Sequence, residues 1–377
     1  MDIKKARNYF PLTKKGIIYF NHAATAPLST KVVEVLNKYI NKKTDGDIEN
    51  YNELQSTVAE TKRNIGGLIN CNPDRIAYLD NTSNGINILA QGIEWKHGDR
   101  ILLNDIEFPA NVYPFLNLER KGVKIDFVKS KDWKVSAEDI LENIRPGTRM
   151  VSISQVQFLS GYRVSLNKIG EYCLKNNIIF CVDAIQGLGA VRMDVSKDNI
   201  DFISCGTQKW MLGQQGFGFV YVSEKLQEKI HQSYLGWLSV KGAWDFLNYE
   251  INLKDSADRF QGGTLNTIGI ISLGAALNVF LEFGWDEIEN AITQNTEYFI
   301  EKFNEAGIKT IQANFDRSNL AGITSVKLEK AQEIFDELSK KNIYFSLRAG
   351  ILRFSPHFYN TKAEIEFVVD EIKKVID

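Results

Sequence analysis

Cysteine is scarce in this chain of 377 residues: there are four, Cys71, Cys173, Cys181 and Cys205. None stands in a C-x-x-C pair or at metal-ligand spacing, so neither a disulfide framework nor a metal site is expected. Two of them fall inside apolar runs that read as buried strands, which points to reduced core thiols and a cytoplasmic setting. Charge of either sign is not in excess, with 45 basic against 47 acidic residues. A nucleic-acid partner, which calls for a basic face, is therefore not expected. The opening MDIKKARNYFPLTKKG has no apolar core of a signal peptide. The longest apolar stretch, Ile268 to Trp285, is interrupted by Ser272, Asn278 and Glu282 at helical spacing. It reads as a buried interdomain helix rather than a membrane span, and no membrane partner is expected. Internal repeats, linkers and low-complexity segments are also missing, and the length predicts two or three domains around a large core.

What is present centres on Asn176 to Val222. Ile178-Ile179-Phe180-Cys181-Val182 is a short apolar run of the kind buried on both faces of a sheet, and it ends on Asp183. Gln186 follows; then comes a second run, Phe202-Ile203-Ser204-Cys205, and Gly206-Thr207-Gln208-Lys209-Trp210. Ligands in open α/β sheets sit beyond the carboxyl ends of the strands, so Asp183 and Lys209 are expected to face one crevice. Partial desolvation there would free the lysine amine to attack a carbonyl, the requirement for a Schiff base. Spacing alone equally allows a capping aspartate and a solvated lysine. The glycines from Gly213 to Gly218 lead into a strand and not a helix, so they form no dinucleotide loop.

The D-A-I-Q of residues 183–186, the G-T-Q-K-W-M-L-G of 206–213 and the G-F-G-F-V-Y-V of 216–222 resemble the aminotransferase class V family of fold-type I pyridoxal 5'-phosphate (PLP) enzymes. That family includes cysteine desulfurases, kynureninase and isopenicillin N epimerase, and the resemblance runs from Tyr19 to beyond Thr361. It implies an α/β fold-type I, aspartate aminotransferase-like transferase. A large domain at 18–262 would carry a mostly parallel seven-stranded sheet, and 1–17 with 263–377 would form a smaller α+β domain. By the same resemblance Lys209 carries PLP, Asp183 binds the pyridine nitrogen and Gln186 the phenolic oxygen. Thr82 and Ser83, in a polar turn before a helix, match the phosphate-binding turn, to which Gln208 adds a donor and Thr207 a hydroxyl. Thr264, in R-F-Q-G-G-T-L-N, matches the threonine that binds the phosphate of the neighbouring subunit's cofactor, which implies a homodimer with shared active sites; it also stands where it would cap the helix that follows.

On the substrate side, Phe108 takes the place of a ring-stacking aromatic that is often histidine; it can stack but cannot transfer protons. His22 lies in a small-residue turn lining the substrate side, or is simply hydrogen-bonded within that turn. Phe158 stands where desulfurases carry an asparagine, with Gln157 beside it as a substitute polar contact. Arg353 matches the arginine that grips the α-carboxylate of an amino-acid substrate, and Arg348 belongs to the R-x-G segment just before it. The roles of Arg348 and His357 are left open. Desulfurases place a nucleophilic cysteine between these two arginines, and here Arg348-Ala349-Gly350 is followed almost at once by Leu352-Arg353. The resemblance therefore implies a PLP enzyme acting at the α-carbon, with β-elimination of the C–S lyase type expected first. Transamination and epimerisation are the alternatives, and a non-catalytic PLP-binding regulatory module is the reading from another class.

Overall fold

Short runs rich in β-branched and aromatic residues, each bounded by polar turns, form the strands. In chain order these are β1 (Ile18–Tyr19), β2 (Ile76–Leu79), β3 (Arg100–Asn104), β4 (Lys124–Val128), β5 (Thr148–Ser154), β6 (Ile179–Asp183), β7 (Phe202–Gly206), β8 (Gly218–Val222), β9 (Thr324–Lys327), β10 (Ile343–Tyr344), β11 (Ser346–Arg348) and β12 (Ile351–Phe354). The structure, a computed structural model, describes residues 1–48 and 51–377. Seven strands make one sheet in the order β2-β8-β7-β6-β5-β3-β4. Its inner pairs from β7 to β4 are parallel, and only β8 runs against its neighbours. Every residue of β6, β7 and β8 is buried, as a sheet covered on both faces requires. Sequence gives no sign of β4: it is an edge strand, mostly exposed or half-buried, and its Lys124 and Asp126 break the apolar run.

Register places the site. Ser154 at the end of β5 pairs with Asp183 at the end of β6, and Asp183 pairs with Ser204 on β7. Three carboxyl ends thus come level, and the chain leaving β7 reaches Lys209 within a few residues.

A smaller lobe holds the antiparallel sheet β11-β12-β9 and the parallel pair β1-β10. Its core is aromatic: Phe20, Phe299, Phe303, Phe345 and Phe354 are buried together, with Phe345 and Phe354 stacked at 4.7 Å between ring centres. Residues 18–19, at the sequence boundary of the large domain, pair with β10 of this lobe. The apolar helix Thr267–Phe283 packs on helices Thr30–Thr44 and Tyr51–Ile69. At Gly284, whose φ of +85° suits glycine, the chain turns by 84° into the helix Trp285–Glu305. Among the described residues no single helix is long and apolar enough to cross a membrane.

A fully buried polar network joins the lobes beneath the lysine turn. The Nδ1 of His22 lies 2.9 Å from the Ser355 carbonyl, which can only accept, so Nδ1 carries the proton and Nε2 accepts from the Tyr359 hydroxyl at 2.8 Å. The Nδ1 of His357 accepts from the Phe358 N–H at 2.9 Å, leaving its Nε2–H to donate to the Trp210 carbonyl at 3.0 Å. Both rings are neutral. Burial pushes His357 down from 6.5 to about 4, and burial together with the His357 ring holds His22 well below the usual histidine value.

A proton that binds the unfolded chain near pH 6.5 is refused by the folded one until about pH 4, so stability is complete above pH 6.5 and falls as pH drops through that window. At pH 5 the loss from His357 alone is about 2 kcal/mol. We expect the urea midpoint to fall between pH 7 and pH 5, and the fall to shrink in His357→Gln. An equal fall in both proteins would show that His357 is not its source.

Candidate active site

Asp183 and Lys209 open onto a cavity of ≈ 290 Å³ between the ends of the large sheet and the β11–β12 hairpin. Asp183 is 1 % exposed; its Oδ1 accepts from the Ile185 N–H at 3.0 Å, while Oδ2 is buried without a partner. Burial pushes its carboxyl well above the usual range, and the charge of Glu107 adds to this against the opposing Ile185 hydrogen bond. Lys209 is 9 % exposed, and among the described residues no carboxylate forms an ion pair with it. Burial lowers its pKa against the attraction of Asp183, and the charges of Arg353 and Arg348 lower it further. Both groups are thus held toward their neutral forms by desolvation, the state from which a lysine attacks and an acid donates.

The N-terminus of helix Thr82–Gly92 forms the next wall. Asn81 caps it, accepting from the Asn84 N–H, and Thr82, Ser83 and Gln208 line the cavity beside it. The helix comes close to the sheet because residue 85 is glycine: a Cβ there would meet the Ser204 Oγ at 2.2 Å. The Thr82 hydroxyl accepts from the Gly206 N–H at 3.0 Å, tying this turn to the one that carries Lys209. Gln186 also faces the cavity with its amide engaged, Nε2 donating to the Ala23 carbonyl and Oε1 accepting from the Trp210 indole, each at 2.9 Å.

Phe108 overhangs the lysine: the Lys209 Nζ lies 5.5 Å from its ring centre, and the ring meets Phe158 edge-on at 5.3 Å. Its support is a residue with no sequence signature. Glu107, buried, accepts at Oε1 from Asn104 Nδ2, the Ser154 N–H and Gln157 Nε2 at 2.6, 2.8 and 3.0 Å. Its Oε2 accepts from Ser154 Oγ and Asn111 Nδ2 at 2.5 and 3.0 Å. The donors come from positions 104, 111, 154 and 157, which are scattered in sequence, and an acid after a strand otherwise looks like any loop residue.

Opposite Lys209 stands Arg353, 1 % exposed on β12. Its Nη1 donates to the Phe158 carbonyl at 2.6 Å, its Nη2 lies 3.4 Å from Ser346 Oγ, and its Nε has no partner. Among the described residues it has no carboxylate, so it is not the surface ion pair that spacing also permits. Burial and the Arg348 charge both disfavour this unanswered cation. Arg348 itself is exposed and lines the same cavity.

Several expected residues are not brought together here. His22 is fully buried in the interlobe network and does not line the cavity; Ala23 and Ala24 of its segment do. The substrate-side expectation for His22 is thus corrected, and the alternative of a hydrogen-bonded turn histidine describes it. Thr207 donates to the carbonyls of Gln214 and Phe217, and Gln157 is taken up by Glu107. Thr264 lines a separate surface cavity with Asp80, Tyr234 and Asn266, and the cap of the following helix is Asn266, not Thr264. Cys173, Cys181 and Cys205 are buried, Cys71 is partly buried, and none of the four lines the Lys209 cavity.

The large sheet with its lobe and cleft defines a fold-type I PLP-dependent enzyme. The family model for aminotransferase class-V matches residues 18–368, and the chain belongs to that family. A probable cysteine desulfurase of Methanothermobacter thermautotrophicus is 27 % identical over 399 residues, covering 100 % of this chain and 98 % of the relative. An uncharacterized aminotransferase of Bacillus subtilis is 24 % identical over 350 residues, 93 % of this chain and 91 % of the relative. Among solved structures, apo cysteine desulfurase from Thermococcus onnurineus NA1 matches with a TM-score of 0.87 at 22 % identity, covering 99 % and 98 % of the two chains. The cystine C–S lyase C-DES, in complex with its reaction product cysteine persulfide, matches at 0.86 and 23 %, covering 95 % and 97 %.

The side chains present fit PLP, which class V enzymes use: an orphaned buried carboxyl oxygen on Asp183, a lysine amine without a counter-ion and an unanswered arginine share one cavity. A lysine whose pKa is lowered takes up an aldehyde as its neutral fraction grows. We expect the rate of PLP uptake, followed by absorbance, to rise with pH and level off below the ordinary lysine value of 10.5. A rate still climbing at 10.5 would show that Lys209 is an unperturbed amine.

Proposed function

We propose that this chain catalyses β-elimination from an amino acid with a sulfur leaving group, releasing a thiol, ammonia and a 2-oxo acid, without a persulfide-forming cysteine. The observation that carries this reading is that Lys209 is the one side chain lining the cavity suited to take a proton from Cα. Phe108 holds no proton, and His22 and His357 are committed elsewhere. No thiol lines the cleft to receive sulfur, and Ala349–Gly350 fills the space between the arginines as a turn. Epimerisation needs a second proton carrier on the opposite face of Cα, which this lining does not offer.

In this reading Lys209 holds PLP through Nζ, Asp183 its ring nitrogen, Thr82, Ser83 and Gln208 its phosphate, while Phe108 covers the ring and Gln186 flanks it. Bound PLP supplies a sink for the electron pair released at Cα. Arg353 grips the substrate α-carboxylate, which answers its buried charge. Lys209 Nζ, when free, would take the Cα proton. As the Cα–H pair becomes a second Cα–Cβ bond, the Cβ–S bond breaks with its pair on sulfur, and the proton held by Lys209 is available to the departing thiolate.

The expected outcome with S-substituted cysteines is equimolar pyruvate and thiol, lowered at least ~10³-fold in Lys209→Ala, with no sulfur added to the intact chain mass after turnover. A 2-oxo acid that keeps its sulfur would make the reaction transamination; no turnover of any amino acid would leave a binding module.

We also propose a homodimer with shared sites. Thr264 sits at a surface cavity apart from the Lys209 cavity. In the segment 246–251, Phe246, Leu247, Tyr249 and Ile251 are 64 to 86 % exposed, apolar surface of the kind that subunit contact covers. Leu247→Asp combined with Tyr249→Asp is expected to convert a dimer to monomers in sedimentation; a wild type that already sediments as a monomer refutes the assembly.

A further inference from the structure

The hairpin that replaces a longer loop between the two arginines also aims one of them. β11 and β12 pair with Arg348 opposite Ile351, so Ala349 and Gly350 alone make the turn, at φ +49° and +73°. Two successive residues with positive φ are what a tight hairpin of this twist requires. Arg348 is therefore held at the end of a paired strand rather than on a mobile loop, and its guanidinium lines the same cavity as Lys209 and Arg353.

The Arg348 side chain makes no hydrogen bond or ion pair to any described residue. Its charge acts on both Lys209 and Arg353. The cavity lining thus carries three cationic side chains, Lys209, Arg348 and Arg353, against one carboxylate, Asp183. An α-carboxylate answers Arg353, the buried one. Arg348, exposed at the rim on the same hairpin, is left without an anion.

We propose that Arg348 is a specificity-determining residue that selects amino acids whose side chain ends in a second anionic group, a carboxylate carried by the part that leaves. The planar guanidinium suits a bidentate grip on such a group. The proposal rests on the elimination reading for the identity of that leaving part. A distal anion answers Arg348 and relieves the like-charge contact that Arg353 suffers, so the preference is set by the pair. Since Arg348 is exposed, the gain is that of a half-solvated ion pair and fades with salt.

Two isosteres test this at the binding step, read on rapid mixing before product forms. S-carboxymethyl-L-cysteine and S-carbamoylmethyl-L-cysteine differ by a charged carboxylate against a neutral amide. Dissociation constants are read from the change in the visible cofactor band of the PLP-loaded protein, for wild type, Arg348→Gln and Arg348→Lys. Wild type is expected to bind the carboxylate form about fivefold tighter at low salt, Arg348→Gln to bind the two alike, and Arg348→Lys to recover part of the preference. Equal binding of the two by wild type, or a preference that survives Arg348→Gln, overturns the proposal while leaving the elimination reading intact. Loss of PLP retention in Arg348→Gln also overturns it, since Arg348 would then serve the cofactor phosphate. If no amino acid perturbs the wild-type band, the elimination reading falls and this proposal with it.

Discussion

Everything in this structure turns on keeping an acid and an amine out of water at adjoining strand ends without letting them cancel. Burial of a carboxyl or ammonium group costs several kcal/mol unless a partner answers it. Asp183 has one oxygen satisfied by its own turn and one left over, and Lys209 has an aromatic ring where a carboxylate would be. That arrangement is held by hydrogen-bonded surroundings. The His357 ring at the Trp210 carbonyl, the Gln186 amide at the Trp210 indole and the Thr82 hydroxyl at the Gly206 N–H each fix the lysine turn from a different element. Strain of this kind is a property of sites that await a ligand.

The cofactor side and the substrate side are built on different principles. Asp183 ends β6, Lys209 lies in the turn beyond β7 and Thr82 opens a helix packed on the same sheet, where register between parallel strands levels the strand ends. Arg353 and Arg348 come from a three-stranded antiparallel sheet in the smaller lobe, on the two strands of one tight hairpin. Chemistry is anchored to the more deeply buried scaffold, and recognition to a hairpin that borders the cleft.

Sequence made the first side legible and the second partly so. Asp183 and Lys209 stand out because each comes shortly after a continuous apolar run, although spacing alone equally allows a capping aspartate and a solvated lysine, and it was the resemblance that chose between the readings. Phe108 and Arg353 were singled out through resemblance alone, and both line the cavity of Lys209. His22 and Thr207 misled for one physical reason: a polar side chain in a motif segment is identical in sequence whether it faces a ligand or satisfies a neighbouring carbonyl, and in both residues carbonyls or hydroxyls took it. Glu107 was invisible because its donors assemble only when β3 and β5 lie side by side. The edge strand β4 was missed because its exposure removes the apolar pattern that betrays its neighbours.

The Glu107 cluster also makes one wall of the cleft a single unit. Asn104, Asn111, Ser154 and Gln157 all donate to one buried carboxylate, so the segments bearing Phe108 and Phe158 form a single block. Prising it apart would strand a carboxylate among apolar neighbours, at a cost of several kcal/mol. The facing hairpin is tied to that block by a hydrogen bond from Arg353 to the Phe158 carbonyl. The side chain proposed to recognise the substrate carboxylate is thus also the one that joins the two walls of the cleft, so a guest that engages it competes with a bond the protein makes to itself.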